Sequence, residues 1–106
     1  MEIKFRQQYL EDLYEGKKSK EKRFKSNQSL VNQYVKTVKK LEGITVFEQI
    51  YQLKSLNFEA LSGNLQGLFS VRINDQYRLI FDIVRNTEPP FEVQLLELEE
   101  ISKHYE

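Results

Sequence analysis

Apolar residues recur along the chain in two rhythms, helical in the first half and strand-like in the second, after a brief alternating start. Ile3 and Phe5 alternate with polar neighbours, which predicts a short first strand. Tyr9, Leu10, Leu13 and Tyr14 then fall at helical spacing, and Gly16 supplies a left-handed stop for a short first helix. Residues 17–25 lose the periodicity apart from Phe24 and read as a loop or a frayed helical turn. Leu30, Val31, Tyr34, Val35, Val38 and Leu41 form one continuous stripe with Lys36, Lys39 and Lys40 facing away; Ser26 or Asn27 caps this second helix and Gly43 ends it. Thr45, with Glu48 three residues later, reads as a capping box, and Val46, Phe47, Ile50 and Tyr51 give the apolar face of a third, shorter helix. Such stripes are not stable alone and need a sheet to cover.

From Phe69 the period becomes two. Phe69, Val71 and Ile73 point one way and Ser70 and Arg72 the other; Tyr77, Leu79, Phe81 and Ile83 repeat the pattern against Arg78, Ile80 and Asp82. A two-residue turn would lay the apolar face of one strand beside the polar face of the other. A three-residue loop, Asn74-Asp75-Gln76, pairs Ile73 with Tyr77, Val71 with Leu79 and Phe69 with Phe81, and gathers every apolar side chain on one face. The same register sets Arg72 directly across from Arg78, an unfavourable like-charge pair that calls for an anion, either an acidic neighbour such as Asp82 or a bound phosphate. After a loop marked by Asn86 and Pro89-Pro90, Phe91, Val93 and Leu95 predict a further strand beside the hairpin, and the residues from Ile101 onward are too few to assign. No internal repeat or low-complexity tract interrupts the pattern.

Composition narrows the class. At 106 residues, 40% hydrophobic and 30% charged with 7 Phe and 6 Tyr, the chain suits one globular domain over 1–106 with one core. It has no cysteine, which excludes a disulfide framework and a thiolate metal site. Neither an apolar leader nor a bilayer-length apolar run is present, so a cytoplasmic protein with no membrane partner is expected. A formal net charge of zero argues against a nucleic-acid binder held by bulk charge alone. The charge is unevenly placed, however: Lys17, Lys18, Lys20, Lys22, Arg23 and Lys25 cluster in one stretch, while Glu88, Glu92, Glu97, Glu99, Glu100 and Glu106 load the other end.

The segment Leu61-Ser-Gly-Asn-Leu-Gln-Gly67, the hairpin Phe69-Ser-Val-Arg-Ile-Asn-Asp-Gln-Tyr-Arg-Leu-Ile-Phe81 and the closing His104-Tyr105 together resemble the HigB branch of the RelE/ParE superfamily of type II toxins. The resemblance implies a compact α+β fold in which a small antiparallel sheet is packed by two or three amino-terminal helices. It implies a ribosome-dependent mRNA endoribonuclease that works in the A site, without metal or cofactor, by attack of a 2′-hydroxyl on the neighbouring phosphate. It further implies a cognate HigA-like antitoxin, through which alone the toxin meets operator DNA. ParE-type members share the scaffold but are associated with gyrase, so a noncatalytic gyrase inhibitor, or a weakened toxin acting as a binding module with its antitoxin, is the competing expectation.

Cleavage of this kind needs a base for the 2′-hydroxyl, cations for the phosphorane oxygens and an acid for the departing 5′-oxygen. Arg72 and Arg78 suit the second task, because guanidinium groups bind phosphate bidentately and stay protonated. His104, the only histidine, is the natural acid or base, and Tyr105 either stacks on a base, orients the nucleophile or closes the core beside Ile101. Where many HigB-like toxins read His-x-Leu-Lys-Gly, this chain reads Glu59-Ala-Leu-Ser-Gly63, which leaves Glu59 as a possible base and Lys54 as a nearby cation or a solvated lysine. The basic stretch from Lys17 to Lys25 is either a set of phosphate contacts to ribosomal RNA or a solvated loop.

Overall fold

The period-two segments become the centre of a five-stranded sheet in the computed structural model, which describes residues 1–103. The strands are β1 (Glu2–Phe5), β2 (Glu59–Ala60), β3 (Phe69–Arg72), β4 (Tyr77–Arg85) and β5 (Val93–Lys103), arranged in the order β1-β5-β4-β3-β2. Three α-helices lie between β1 and β2: α1 (Gln8–Tyr14), α2 (Lys22–Lys25) and α3 (Gln28–Glu42). The fold is α+β as the sequence predicts, with one correction: the sheet is mixed, because β1 runs parallel to β5 while the other neighbours are antiparallel. Parallel pairing needs a long crossover, and the helices and the hairpin between the two strands supply it.

Helix ends follow side-chain chemistry. The Asn27 side chain caps α3, accepting a hydrogen bond from Leu30 N at 3.1 Å. Gly16 adopts φ +83° just past α1, a conformation that L side chains rarely take. The end of the basic stretch, Lys22–Lys25, forms the one-turn helix α2, with Phe24 its buried residue. The third predicted helix is instead a 3-10 turn, Phe47–Gln52, and its cap is neither Thr45 nor Glu48: the Gln49 side-chain carbonyl accepts from the backbone N–H groups of Thr45 and Val46 at 2.6 and 3.4 Å. Shifting the reciprocal acceptor one residue leaves room for only a tight, short turn.

Leu10, Leu13, Phe24, Leu30, Tyr34, Val38 and Leu41 meet Val71, Leu79, Phe81, Leu96, Leu98 and Ile101 in one core between the helices and the sheet. At about 1.5–3 kcal/mol for each large apolar side chain removed from water, this one-sided burial dominates the stability of the fold. An aromatic group of Phe47, Phe58, Phe69 and Phe81 extends it toward β2, with Phe58 stacked on Phe69 at 5.5 Å. Tyr34 carries a polar link deep in the helical layer: its hydroxyl donates to Leu10 O at 2.8 Å, and burial holds the phenol protonated.

The predicted strand at Phe91, Val93 and Leu95 is corrected in start, extent and facing. Phe91 lies outside β5, half-exposed with φ +56°, whereas the strand runs from Val93 through Ile101 to Lys103. Its inward residues are Leu96, Leu98 and Ile101. Pairing skips a residue twice, once where Ile80 and Phe81 meet Glu100 and Leu98, and once where Val84 and Arg85 meet Leu95 and Val93. A bulge of one residue flips the facing of everything beyond it, so simple alternation could not locate the inward set.

On the sheet face away from the helices, three carboxylates converge. Arg6, just past β1, pairs with Glu97 at 2.9 Å, Glu99 at 2.5 Å and Asp82 at 3.5 Å, tying β1, β5 and β4 together. The hydrogen bond from Arg6 holds the Glu97 carboxyl below its ordinary range. A depressed carboxylate stabilises the fold fully above that range, and the contribution fades as pH falls through it.

Tyr34→Phe leaves the Leu10 carbonyl buried without its donor, and urea unfolding is expected to show a loss of about 1–2 kcal/mol with an unchanged m-value. Arg6→Ala is expected to lower the melting temperature most near pH 7, where the three carboxylates then repel one another, and the gap to the parent protein should close as the pH drops below the carboxylate range; a gap independent of pH would show that packing, not charge, holds this corner.

Candidate functional site

The hairpin forms in the predicted register. Phe69 lies opposite Phe81, Val71 opposite Leu79 and Arg72 opposite Arg78, and Ile73 N donates to Tyr77 O at 3.0 Å across the three-residue loop. The Asn74 side-chain oxygen accepts from Gln76 N and Tyr77 N at 2.8 and 2.9 Å, so this asparagine builds the turn itself. Its amide donates to the Gln33 side chain at 2.8 Å, anchoring the turn to α3.

With Val71, Leu79 and Phe81 buried toward the helices, alternation sends Ser70, Arg72, Arg78 and Ile80 to the other face. Cross-strand pairing extends that face sideways. Ser102 of β5 lies opposite Arg78, giving a row Arg72, Arg78, Ser102 across three strands. The next row is Glu59, Ser70, Ile80 and Glu100, running from β2 to β5. Two arginines are thus bordered by a hydroxyl on one side and by a carboxylate at each end of the adjoining row. Ser70 and Ile80 are buried although they lie outside the helix-side core, so the face is a sheltered surface and not a flat, fully wetted one.

The anion that the arginine pair calls for is Asp75, not Asp82. Arg72 Nη2 bonds the Asp75 carboxylate in the turn, three residues along, whereas Asp82 pairs with Arg6. Asp82 faces the same side but sits opposite Glu97, in the direction of β1, and Arg6 is the cation it meets. Arg78 folds back on the turn, its Nη1 donating to Asn74 O at 2.9 Å and Tyr77 O at 3.3 Å; among the described residues no carboxylate pairs with it. Asp75 is almost fully exposed, and an ion pair of that kind is worth about 0–1 kcal/mol. Charge-assisted hydrogen bonds to an ionised group are worth about 1.5–3 kcal/mol each, more than such an exposed pair.

Glu59 is exposed, and Asn57 Nδ2 donates to its carboxylate at 3.3 Å. Lys54 opens the 3-10 turn Lys54–Leu56 that precedes β2 and is exposed. His104 and Tyr105 lie outside the described residues; β5 reaches Lys103, beside Tyr77 at the turn end of the hairpin. Of the basic stretch, Lys17 pairs with Glu15 at 3.3 Å and Asp12 at 3.7 Å, and Lys18, Lys20, Lys22 and Lys25 are exposed. Arg23 differs from these lysines. Its Nη1 donates to Ile101 O at 2.7 Å and its guanidinium sits 4.5 Å from the Phe24 ring centre, so it is a packed residue joined to β5.

Glu100 and Ser102 border the arginine pair and escaped the sequence reading. The signal for them is Leu96, Leu98 and Ile101, which mark a strand only once a bulge at Glu99 is allowed.

The chain resembles known proteins over most of its length. Residues 3–89 match the family model described as the RelE-like toxin of the type II toxin-antitoxin system HigB. Toxin HigB-1 of Vibrio cholerae serotype O1 is 33% identical over 84 residues, covering 79% of this chain and 85% of that protein. The fold is similar to a YoeB/ParE toxin from Agrobacterium tumefaciens, with a TM-score of 0.54 at 17% identity over 99% of this chain and all of that one. It is similar also to a chain of the YoeB-YefM complex from Staphylococcus aureus, with a TM-score of 0.55 at 23% identity over 99% of this chain and 98% of that one. The two solved structures speak for the fold alone; the family match, spanning the helices, the hairpin and the arginine pair, is what places the protein, and the chain belongs to the HigB-like family of RelE-like type II toxins.

Proposed function

We propose that this toxin is a metal-independent endoribonuclease that cleaves mRNA in the ribosomal A site. The observation that carries the reading is the directly opposed Arg72–Arg78 pair, on a sheltered face that also bears Glu59. Two like charges across a strand pair cost the free protein stability, and a phosphate bound between them reverses that cost.

In the reaction Glu59 takes the proton from the 2′-hydroxyl, whose oxygen attacks the adjacent phosphorus. Arg72 and Arg78 hold the non-bridging oxygens as negative charge builds on them. The bond from phosphorus to the 5′-oxygen breaks, and His104 gives that oxygen a proton, leaving a 2′,3′-cyclic phosphate and a 5′-hydroxyl. A carboxylate beside RNA is penalised by repulsion, and the two arginines on the same face offset it. Tyr105 stacks on a base at the scissile step. The exposed Lys18, Lys20, Lys22 and Lys25, with Lys17 and Lys54, supply sequence-independent phosphate contacts to ribosomal RNA. Arg23 is left out of that set, since Ile101 and Phe24 already engage it.

The HigA-like antitoxin is the cytoplasmic partner, through which the toxin meets operator DNA. The S. aureus neighbour solved as a YoeB-YefM complex supports such an assembly. Among the described residues no helix is long and apolar enough to cross a membrane.

The test is expression from a tight promoter followed by mapping of mRNA 5′ ends. The parent protein is expected to cut within translated frames, and the cuts should vanish when translation is blocked. Arg78→Ala is expected to lower the cleavage rate by about 100-fold or more, as for loss of a donor to a developing oxyanion, and His104→Ala should abolish detectable cuts. Intact transcripts despite growth arrest would replace this reading with a noncatalytic target such as gyrase. Reversing the charge of Lys18, Lys20, Lys22 and Lys25 together is expected to weaken ribosome binding and flatten its salt dependence while leaving the fold intact.

A further inference from the structure

Parallel pairing of β1 with β5 covers Leu95 to Leu98 and then stops, because the chain turns from β1 into α1. From Glu99 onward the outer edge of β5 has no strand beside it among the described residues. That edge is nevertheless hydrogen-bonded. Arg6 N donates to Leu98 O at 2.9 Å, the last backbone contact of the β1 segment. Gln7 Nε2 then donates to Glu99 O at 2.5 Å, the Tyr9 hydroxyl accepts from Ile101 N at 2.9 Å, and Arg23 Nη1 donates to Ile101 O at 2.7 Å. Three side chains from the start of α1 and from α2 take the place of a strand along the last turn of the ladder.

The support is itself rigid. Tyr9 stacks on buried Phe24 at 5.7 Å, and the Arg23 guanidinium lies over both rings, 4.5 Å from Phe24 and 5.7 Å from Tyr9. Burial pushes the Tyr9 hydroxyl above its ordinary range, which keeps the phenol neutral. On its other edge the same stretch of β5 is held by β4, Ile101 opposite Leu79 and Ser102 opposite Arg78. The Ile101 peptide is therefore gripped from both sides, one residue before Ser102 joins the arginine row and three residues in sequence before His104.

We propose that Gln7, Tyr9 and Arg23 are positioning residues that fix the path of the carboxyl-terminal end of β5, and so set where Ser102 stands beside the Arg72–Arg78 pair and the point from which the chain continues in sequence to His104. The proposal rests on the nuclease reading and adds to it a route by which the helical layer controls the cleavage face. A strand edge without partners frays. A displacement of about 1 Å at a reacting group costs on the order of 100-fold in rate. Arg23 thereby moves from an RNA-contacting role to one inside the fold, although it sits among exposed lysines.

Single-turnover cleavage of mRNA on programmed ribosomes, ribosome affinity and amide hydrogen exchange at Ile101 test this in the full-length toxin carrying Tyr9→Phe, Arg23→Lys or Gln7→Ala. Tyr9→Phe removes only the acceptor, and Arg23→Lys keeps the charge but loses the planar stack. Each is expected to speed exchange at Ile101 and to slow cleavage by about ten-fold, the loss of roughly one hydrogen bond, with ribosome affinity unchanged. Gln7 is exposed, so its variant folds even where the others do not. Cleavage at the parent rate despite faster Ile101 exchange would overturn the proposal, and so would a rate loss matched by an equal loss of ribosome affinity in Arg23→Lys. A parent protein that does not cleave would instead overturn the nuclease reading itself, and a His104→Ala variant that cleaves at the parent rate would remove His104 as its acid; the exchange measurement at Ile101 depends on neither.

Discussion

Everything on the arginine-bearing face depends on the two-residue period of β4. Burying Leu79 and Phe81 against α1 and α3 removes large apolar surface from water, and the pleat then has no choice about where Arg78, Ile80 and Asp82 point. Antiparallel pairing passes the constraint to β3, β2 and β5, so Arg72, Glu59, Glu100 and Ser102 are turned outward by the same hydrophobic contacts. A shift of one residue in the hairpin would bury the arginines and expose the core, and the Asn74 turn, locked to Gln33 of α3, guards against that slip. Core packing and site geometry are thus one constraint read from two sides of a sheet.

Electrostatics divides that outward face into two halves with opposite tasks. Toward β1, Arg6 is surrounded by Asp82, Glu97 and Glu99, an arrangement saturated with negative charge that ties three strands together and offers nothing to an anion. Toward the hairpin turn, among the described residues, Arg72 has only the exposed Asp75 for a partner and Arg78 bonds only backbone carbonyls. The chain's neutral total therefore conceals one half whose arginine is surrounded by carboxylates and another whose two arginines share a single exposed one among the described residues. The acidic carboxyl-terminal strand, which on composition alone opposes RNA binding, is largely accounted for by Arg6.

Much of this was legible in the residues. The helices α1 and α3, a cap at Ser26 or Asn27, the three-residue hairpin loop and the opposition of Arg72 and Arg78 all follow from local periodicity and turn chemistry, because each involves residues close together in the chain. The residues that would complete the site, His104 and Tyr105, were named from the sequence and lie outside the described residues. Glu59 is singled out in the sequence by standing where many HigB-like toxins have histidine; its place on the arginine face comes from the pairing of β2 with β3.

The sequence by itself determined the helices α1 and α3 and the β3–β4 hairpin, and which side chains of the hairpin share a face. Only the tertiary structure decided that β1 joins β5 in parallel, that β5 runs to Lys103 through a bulge, that Asp75 and not Asp82 answers Arg72, and that Arg23 belongs to the fold and not to the basic surface around it. The reason is physical: periodicity reports how a segment divides its own faces between core and water, whereas these four outcomes depend on which distant backbone edge or charge a side chain meets after the segments have packed.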